Sequence, residues 1–568
     1  MLSYDEAIAR VTAPGERFET AEVEIRGVAY TIFRNAPRSL RDIVATAHGR
    51  ADVVFLVYED ERWTFAEFAS KVDALANALV DRYKIEKGDR VAIGMRNYPE
   101  WVVAFGAITS IGAISVSLNA WWTSDELEYA LEDCGASVLI ADAERIERSA
   151  DTCKRLGIDV IAVRAPDLAA AADQWDDVVV PGEPMPEVEI DPDDDATILY
   201  TSGTTGHPKG AVSTHRAVVQ ALMGFGCRSA ADRLRSPDAA PTTDPPAFIL
   251  VVPLFHVTGC VPVMLSCLSS GLKLVIMYKW DPDRALEHIE RERVTNFVGV
   301  PTQSWDLLAS PNFAAHDTSS LRSVGGGGAP APPELVRRVA SSFAKASPGI
   351  GYGMTETNAY GPQNGGEDYL THPTSTGRAT PILQVEVRDE NELALPHGEA
   401  GEIWFKGPNL IRGYWNKPEA TAEVIVDGWL RSGDIGRIDA EGFVYVEDRA
   451  KDMVLRAGEN VYCAEVEAAL YEHPDVHEAA VFGVPHDRLG EEVAAAVMPR
   501  EGAKLTVAEL QEHVRGHLAP FKVPTLIAIF DSPLPRNASG KILKRELRDD
   551  FTRSGAASLP STEPGSPA

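Results

Sequence analysis

The sequence predicts an α/β protein built on largely parallel sheets, and three features carry that prediction. Strand-like and helix-like segments alternate over most of the 568 residues, the order expected when helices cover the faces of a sheet. The strand-like segments, such as VAIGM (91–95) and SVLIAD (137–142), are continuous apolar runs, which suits strands buried on both faces. The length corresponds to three or four structural units at roughly 150 residues each.

Each element has a local reason. GDRVAIGM (88–95) is a short buried strand entered from a Lys-Gly-Asp turn. Trp101 to Leu118 carries no charge and is long enough to raise the question of a membrane span. Gly106, Thr109, Ser110, Gly112, Ser115 and Ser117 interrupt it, so a buried helix running into a buried strand is the better reading. In TSDELEYALEDCGASVLIAD, Thr123 and Glu126 stand at capping-box spacing and Leu127 and Leu131 share a helical face. Gly135 then ends the helix ahead of a strand. Residues 181–195, acidic and proline-rich, and the polar stretch 228–247 read as surface connections, because core-like segments resume after each. From about 380 the texture shifts to short β segments with glycine turns, predicting a small all-β subdomain. A compact mixed α/β stretch follows Arg449. The expected boundaries are therefore 1–449, 450–552 and a low-complexity, disordered tail at 553–568.

Bulk properties exclude some functions. A formal charge of -30 argues against a general nucleic-acid or anionic-membrane binder. It leaves nucleotide substrates open, since those need only a local nest of N–H groups and a few cations. The cysteines at 134, 153, 227, 260, 267 and 463 form no CxxC pair and no spaced set with histidines, suggesting reduced thiols. The start, MLSYDEAIAR, lacks a basic region leading into an apolar stretch, and a cytoplasmic enzyme with no integral membrane span is expected.

The strongest local signal is YTSGTTGHPKG (200–210). It combines Thr201, Ser202, Gly203, Thr204, Thr205, Gly206 and Lys209 after an apolar strand. Glycines let backbone N–H groups converge on an anion, hydroxyls add donors, and one lysine adds charge. A Walker A loop is excluded, because Pro208 and Gly210 flank the lysine. LRSVGGGGAPAPPELVRRV (321–339) reads as strand, glycine turn and helix, with Pro332 and Pro333 in the first turn and Glu334 at its positive end. GYGMTET (351–357) offers one carboxylate, Glu356, which suffices for a magnesium ion otherwise held by phosphate and water. Taken singly, His256 in VVPLFHVTG (251–259), Asp434 in GWLRSGDIG (428–436) and Arg449 in VEDRAKD (446–452) would read as a core histidine and a surface ion pair.

Together, and in this order from WTF (63–65) to GKILKREL (540–547), these strings resemble the adenylate-forming superfamily of acyl-CoA synthetases, luciferases and peptide-synthetase adenylation domains. The resemblance implies a large N-terminal domain of two α/β sheet subdomains plus a small β-barrel-like subdomain, followed by a small mobile α+β domain. It implies ATP, Mg2+ and coenzyme A as reactants, with a small-molecule carboxylic acid as substrate. The 201–209 loop would cradle phosphates. Gly327, Gly328, Ala329 and Pro330 would lie along the adenine, and within Gly351, Tyr352, Gly353 and Met354 the tyrosine would stack on it. Thr355 would bind the α-phosphate, Glu356 the metal, and Asp434 and Arg449 the ribose. His256 would gate the carboxylate, and Lys541 would bridge carboxylate and α-phosphate. Lys451 would be the hinge, and Gly458 belongs to the segment lining the pantetheine tunnel. Here the sequence departs from the common form, with Leu455, Arg456 and Ala457 for small residues and Cys463 where proline is frequent.

Amino-acid-activating relatives place an aspartate just after the phenylalanine; here Phe255 is followed by His256. An unpaired buried ammonium is costly, so amino acids are disfavoured. The string GEIWFKGPNLIRGYWNKPEAT (401–421) resembles medium- and long-chain fatty acyl-CoA ligases. The expected enzyme is thus an AMP-forming acid–CoA ligase for a fatty or other hydrophobic acid. An aryl acid–CoA ligase and a stand-alone enzyme loading a carrier protein are the alternatives, and a silent nucleotide binder is disfavoured by the retained Lys541, Glu356, Asp434 and Arg449. Homodimers are frequent in such enzymes, and the oligomeric state stays open.

Overall fold

The computed structural model describes residues 2–168, 172–201, 208–236, 245–329, 331–449, 452–456, 459–486, 488–537 and 540–554. Among these residues the strands form an N-terminal hairpin and four larger sheets. The first sheet runs in the spatial order Gly413–Tyr414, Lys209–Thr214, Asp195–Thr201, Ile114–Ser117, Arg90–Gly94, Val138–Asp142, Asp159–Val163 and Asp173–Gln174. Its strands from Asp195–Thr201 to Asp173–Gln174 are mutually parallel. The second runs Gln363–Gly365, Ser347–Gly351, Ser323–Gly327, Asn296–Gly299, Ala247–Leu250, Lys273–Ile276, Val54–Tyr58 and Glu61–Thr64, parallel except at its two edges.

The uncharged stretch resolves as a helix, Pro99–Ser110, in which every residue is buried, followed by the buried strand Ile114–Ser117. Burial all round explains why it shows no polar face. The capping box also forms: Thr123 Oγ1 accepts from the Glu126 amide at 3.5 Å and the Glu126 carboxylate accepts from the Thr123 amide at 2.8 Å. Gly135 closes that helix at φ 60°. Residues 179–194 run without helix or strand, as a connection should. The reading of 228–247 needs correction. Residues 228–235 are the last turns of the helix His215–Arg235, held by Arg228 to Asp232 and by Arg235 to Asp368, ion pairs that composition alone does not announce. Residues 237–244 lie outside the described residues.

The β-rich segment forms a third, antiparallel sheet in the order Gln384–Arg388, Gly401–Lys406, Trp429–Ile438 and Ile425–Val426, with Val444–Arg449 paired to Trp429–Ile438. A fourth sheet contains Glu459–Val461, Val454–Arg456, Gly490–Pro499 and Val476–His486, with Leu526–Ile529 paired to Gly490–Pro499. Beyond a register shift between Val476 and Glu478 its two long strands alternate: Ala479, Val481, Val493 and Ala495 enter one core, whereas Ala480, Phe482, Ala494 and Ala496 enter another on the opposite face. The six cysteines are free and buried. Burial pushes the Cys463 thiol well above its ordinary range, so it behaves as a small apolar side chain. Of the tail, residues 555–568 lie outside the described residues.

Candidate active site

The second and third sheets meet around residues 351–360. The strand Ser347–Gly351 lies in register beside Ser323–Gly327, with Gly351 opposite Gly327. That pairing sets Gly327, Gly328 and Ala329 next to the start of the GYGMTET segment. The chain then turns sharply. Met354 O accepts the Thr357 and Ala359 amides at 3.1 and 2.9 Å, and Thr355–Thr357 forms a 3₁₀ turn. Asn358 and Ala359 follow at φ 54° and 59°, a region rarely used by alanine. Local strain of this kind is sustained only by surrounding contacts. Those contacts are present: buried Asn358 accepts from Ser213 Oγ at 3.0 Å and donates to Asn409 O at 2.9 Å, while Asn409 donates to Thr357 O at 2.9 Å.

This turn aims Glu356 inward, where it is 7% exposed. Its Oε1 accepts from the Tyr414 hydroxyl at 2.7 Å, and its backbone carbonyl accepts the Ile411 amide at 2.9 Å. Burial raises the Glu356 pKa against the opposing Tyr414 hydrogen bond. Lys209 starts the strand paired with Asp195–Thr201, opposite Thr201, and its ammonium lies 5.1 Å from the Tyr414 ring centroid. Thr201 Oγ1 donates to Lys209 O at 3.4 Å. Lys209, Tyr414 and Glu356 therefore form one chain of contacts across the mouth of the hairpin. A buried carboxylate with a phenol as its hydrogen-bond donor fits a hard divalent cation, whose charge would offset the burial.

A second group centres on Tyr352. Its hydroxyl donates to Asp434 Oδ2 at 2.5 Å, and its ring sits 5.6 Å from that of Phe405. Asp434 stands directly opposite Arg449 in the ladder, with Arg449 Nε 3.4 Å from Asp434 Oδ1. Burial raises the Asp434 carboxyl and nearby Arg449 lowers it, with the increase prevailing.

Lys541 joins these groups from the far end of the chain. Its amide donates to Asn537 Oδ1 and its carbonyl accepts the Asn537 amide, both at 2.9 Å, closing a tight turn. Burial, reinforced by Arg449 and Lys544, brings the ammonium down to about 8 against partial support from Asp452 and Asp434. The same charge reaches His256. Burial chiefly, and Lys541 next, hold that imidazole at about 4, so it is neutral near pH 7. The Thr258 amide donates to His256 Nδ1 at 3.3 Å, which leaves Nε2 as the protonated, donating nitrogen.

The structure thus brings together Thr201, Lys209, His256, Gly327, Gly328, Ala329, Gly351, Tyr352, Gly353, Met354, Thr355, Glu356, Asp434, Arg449 and Lys541. Ser202, Gly203, Thr204, Thr205, Gly206, Pro330, Lys451 and Gly458 lie outside the described residues. Sequence reasoning missed Tyr414, although it stands in the GYW triplet inside a string already singled out. It also missed the Asn358–Asn409 lock, for which the sequence carries no local signal.

Comparison with known proteins gives the family. Residues 43–415 match the AMP-binding enzyme family and residues 465–541 its C-terminal domain; the chain belongs to that family. It is an AMP-forming acyl-CoA synthetase, with the large N-terminal and small C-terminal domains of adenylate-forming enzymes. A feruloyl-CoA synthase from Amycolatopsis sp. is 38% identical over 493 residues, covering 86% of this chain and 94% of the relative. The long-chain-fatty-acid–CoA ligase FadD13 of Mycobacterium tuberculosis is 36% identical over 506 residues, covering 87% and 94%. Among solved structures, ATP-bound MatB from Rhodopseudomonas palustris superposes with a TM-score of 0.78 at 31% identity, covering 91% of this chain and 99% of MatB.

Proposed function

We propose that this ligase activates a hydrophobic monocarboxylic acid through an acyl-adenylate and transfers the acyl group to coenzyme A. The observation that carries the reading is the convergence of Lys541, His256, Asp434 and Glu356 from distant parts of the chain on one site. In the first half-reaction a carboxylate oxygen attacks the α-phosphorus of ATP and the bond to pyrophosphate breaks. Lys541 neutralises negative charge where it accumulates, and neutral His256 donates Nε2–H towards the carboxylate without adding a second buried cation. Thr355 binds the α-phosphate, Tyr352 and the Gly327–Ala329 backbone flank the adenine, and Asp434 and Arg449 accept and donate at the ribose. Glu356 would hold a magnesium ion, which supplies charge neutralisation of the phosphates. In the second half-reaction the small domain turns about the Lys451 hinge and withdraws Lys541. The coenzyme A sulfur then attacks the acyl carbon, and AMP leaves.

Replacing Lys541 by alanine is expected to lower acid-dependent ATP–pyrophosphate exchange by about 10²–10³-fold while sparing thioester formation from a preformed acyl-adenylate. Equal loss in both half-reactions would overturn the role given to Lys541.

For the acyl group the motif resemblance and the FadD13 relative support a medium- or long-chain fatty acid. A second reading, a compact aryl acid, is supported by the feruloyl-CoA synthase relative. Tyr360, fully buried, lies against Gly224 so closely that a Cβ there would meet the ring at 2.3 Å. Phe225 packs edge-on against the same ring at 5.1 Å. This packing fixes the Tyr360 ring at the end of the 351–360 turn. Thioester formation across short, medium, long and aromatic acids decides between the fatty and aryl readings. Among the described residues no helix is long and apolar enough to cross a membrane; a cytoplasmic location is part of the same reading.

A further inference from the structure

One helix of the large domain, Pro301–Ala309, faces the small domain through residues on a single side. Thr302 Oγ1 accepts from Arg536 Nη1 at 3.3 Å. Trp305, one turn on, has two guanidinium groups over its ring: Arg338 of its own domain at 5.1 Å and Arg500 of the small domain at 5.4 Å. Asp306 accepts from Trp280 Nε1 at 2.9 Å and lies within the electrostatic reach of Arg536, His477 and Glu478. At the head of the helix, Val300 packs under the turn that carries Lys541: Gly540 sits there at φ +85°, and a Cβ on it would lie 3.1 Å from Val300 Cγ2. Spacing of i, i+3 and i+4 puts 302, 305 and 306 on one face.

The partners come from three separate segments of the small domain: residues 477–478, residue 500 and residues 536–540. Arg536 ties the first and third of these together. Its Nη2 donates to buried Glu478 Oε1 at 2.6 Å, its Nη1 donates to Gly540 O at 2.7 Å, and Glu478 also accepts the Leu534 amide at 2.9 Å. A rigid rotation of the small domain separates Arg536 from Thr302, Arg500 from Trp305 and Gly540 from Val300 together, while Arg536 keeps its partners within that domain. The contacts are also individually weak. Arg500 and Arg338 repel one another beside the same indole, and burial followed by Arg338 lowers the Arg500 pKa, which weakens the stack.

The geometry points to Arg536 as a positioning residue that clamps the Lys541 turn onto helix Pro301–Ala309, with Trp305 and Arg500 as a second anchor specific to the adenylating orientation. This rests on the two-step reading above. Arg536→Gln is expected to lower the kcat of ATP–pyrophosphate exchange ~10-fold with the KM for ATP changed less than ~3-fold, and to leave thioester formation from preformed acyl-adenylate within ~2-fold. Arg536→Lys is expected to recover part of the loss. Because removing Arg536 leaves Glu478 buried and unpaired, Thr302→Val and Arg500→Gln carry the decision if that variant fails to fold. Each should slow exchange ~3-fold and spare the second step. Hydrogen exchange of residues 533–543 in the same proteins reads the clamp without substrate and should be faster in both. Unaltered hydrogen exchange in both variants overturns the clamp, and so does an equal loss in both half-reactions. A wild-type enzyme that exchanges pyrophosphate with no acid tested would instead overturn the ligase reading, and hydrogen exchange would still judge the clamp.

Discussion

Binding of ATP should draw a proton from solution, and Lys541 sets how much. In the docked arrangement its ammonium is held at about 8 rather than 10.5, a charge penalty of about 3 kcal/mol. The docked state therefore binds fewer protons than a state with Lys541 in solvent between these two values. Docking strengthens as pH rises through that window, and the penalty is fully present below pH 8. Phosphate oxygens beside the lysine reverse the effect by favouring its cation. If ATP restores full protonation, uptake should be about 0.5 proton per site at pH 8, about 0.9 at pH 9 and about 0.1 at pH 7. Titration calorimetry in buffers of differing ionisation heat measures this number directly, and Lys541→Met should abolish the pH-dependent part. Uptake that stays flat from pH 7 to 9, or persists undiminished in Lys541→Met, would refute the reasoning.

Other consequences follow from the same site. Asp434→Asn removes the charge facing Tyr352 and Arg449, and should raise the KM for ATP about 5–30-fold, the worth of about 1–2 kcal/mol of hydrogen bonding; steady-state kinetics in ATP checks it. Glu356→Gln keeps the Tyr414 contact but not the charge, so activity should require a several-fold higher magnesium concentration, seen by titrating the metal at fixed ATP. Gly224→Ala forces a methyl into the Tyr360 ring and should destabilise the protein by about 1–3 kcal/mol. A double-mutant cycle followed by denaturant unfolding should show that the added cost of Gly224→Ala largely vanishes in a Tyr360→Ala background.

Much of this architecture was legible in the residues because the cues are local. The Thr123–Glu126 box, the glycine at 135 and the uncharged run from Trp101 each encode a boundary or a burial within a few positions. Pro333 at the first helical position of Pro333–Ser342 is another such case. The motif positions that the structure brings together were likewise marked in the sequence, since each combines a carboxylate, a hydroxyl or a cation with a turn. What stayed hidden depends on meetings between distant segments. Nothing near Glu356 announces Tyr414, 58 residues away. Nothing in PLPRNASGK indicates that Arg536 reaches Thr302, 234 residues earlier. The polar run after Arg228 reads as a loop until Asp368 supplies Arg235 with a partner from another element. Local chemistry can be read along a chain; the pairings that set relative placement cannot.

The rung that joins Asp434 to Arg449 has a consequence for how an unstable product is kept. Acyl-adenylates are mixed anhydrides and hydrolyse if released. Both side chains hang from neighbouring strands of one antiparallel ladder, so their separation is set by backbone hydrogen bonds and not by the position of the small domain. On the proposed function a ribose bound between them would stay in place while the lysine arrives and departs. On that reading the intermediate keeps its ribose contacts while the small domain changes its working face.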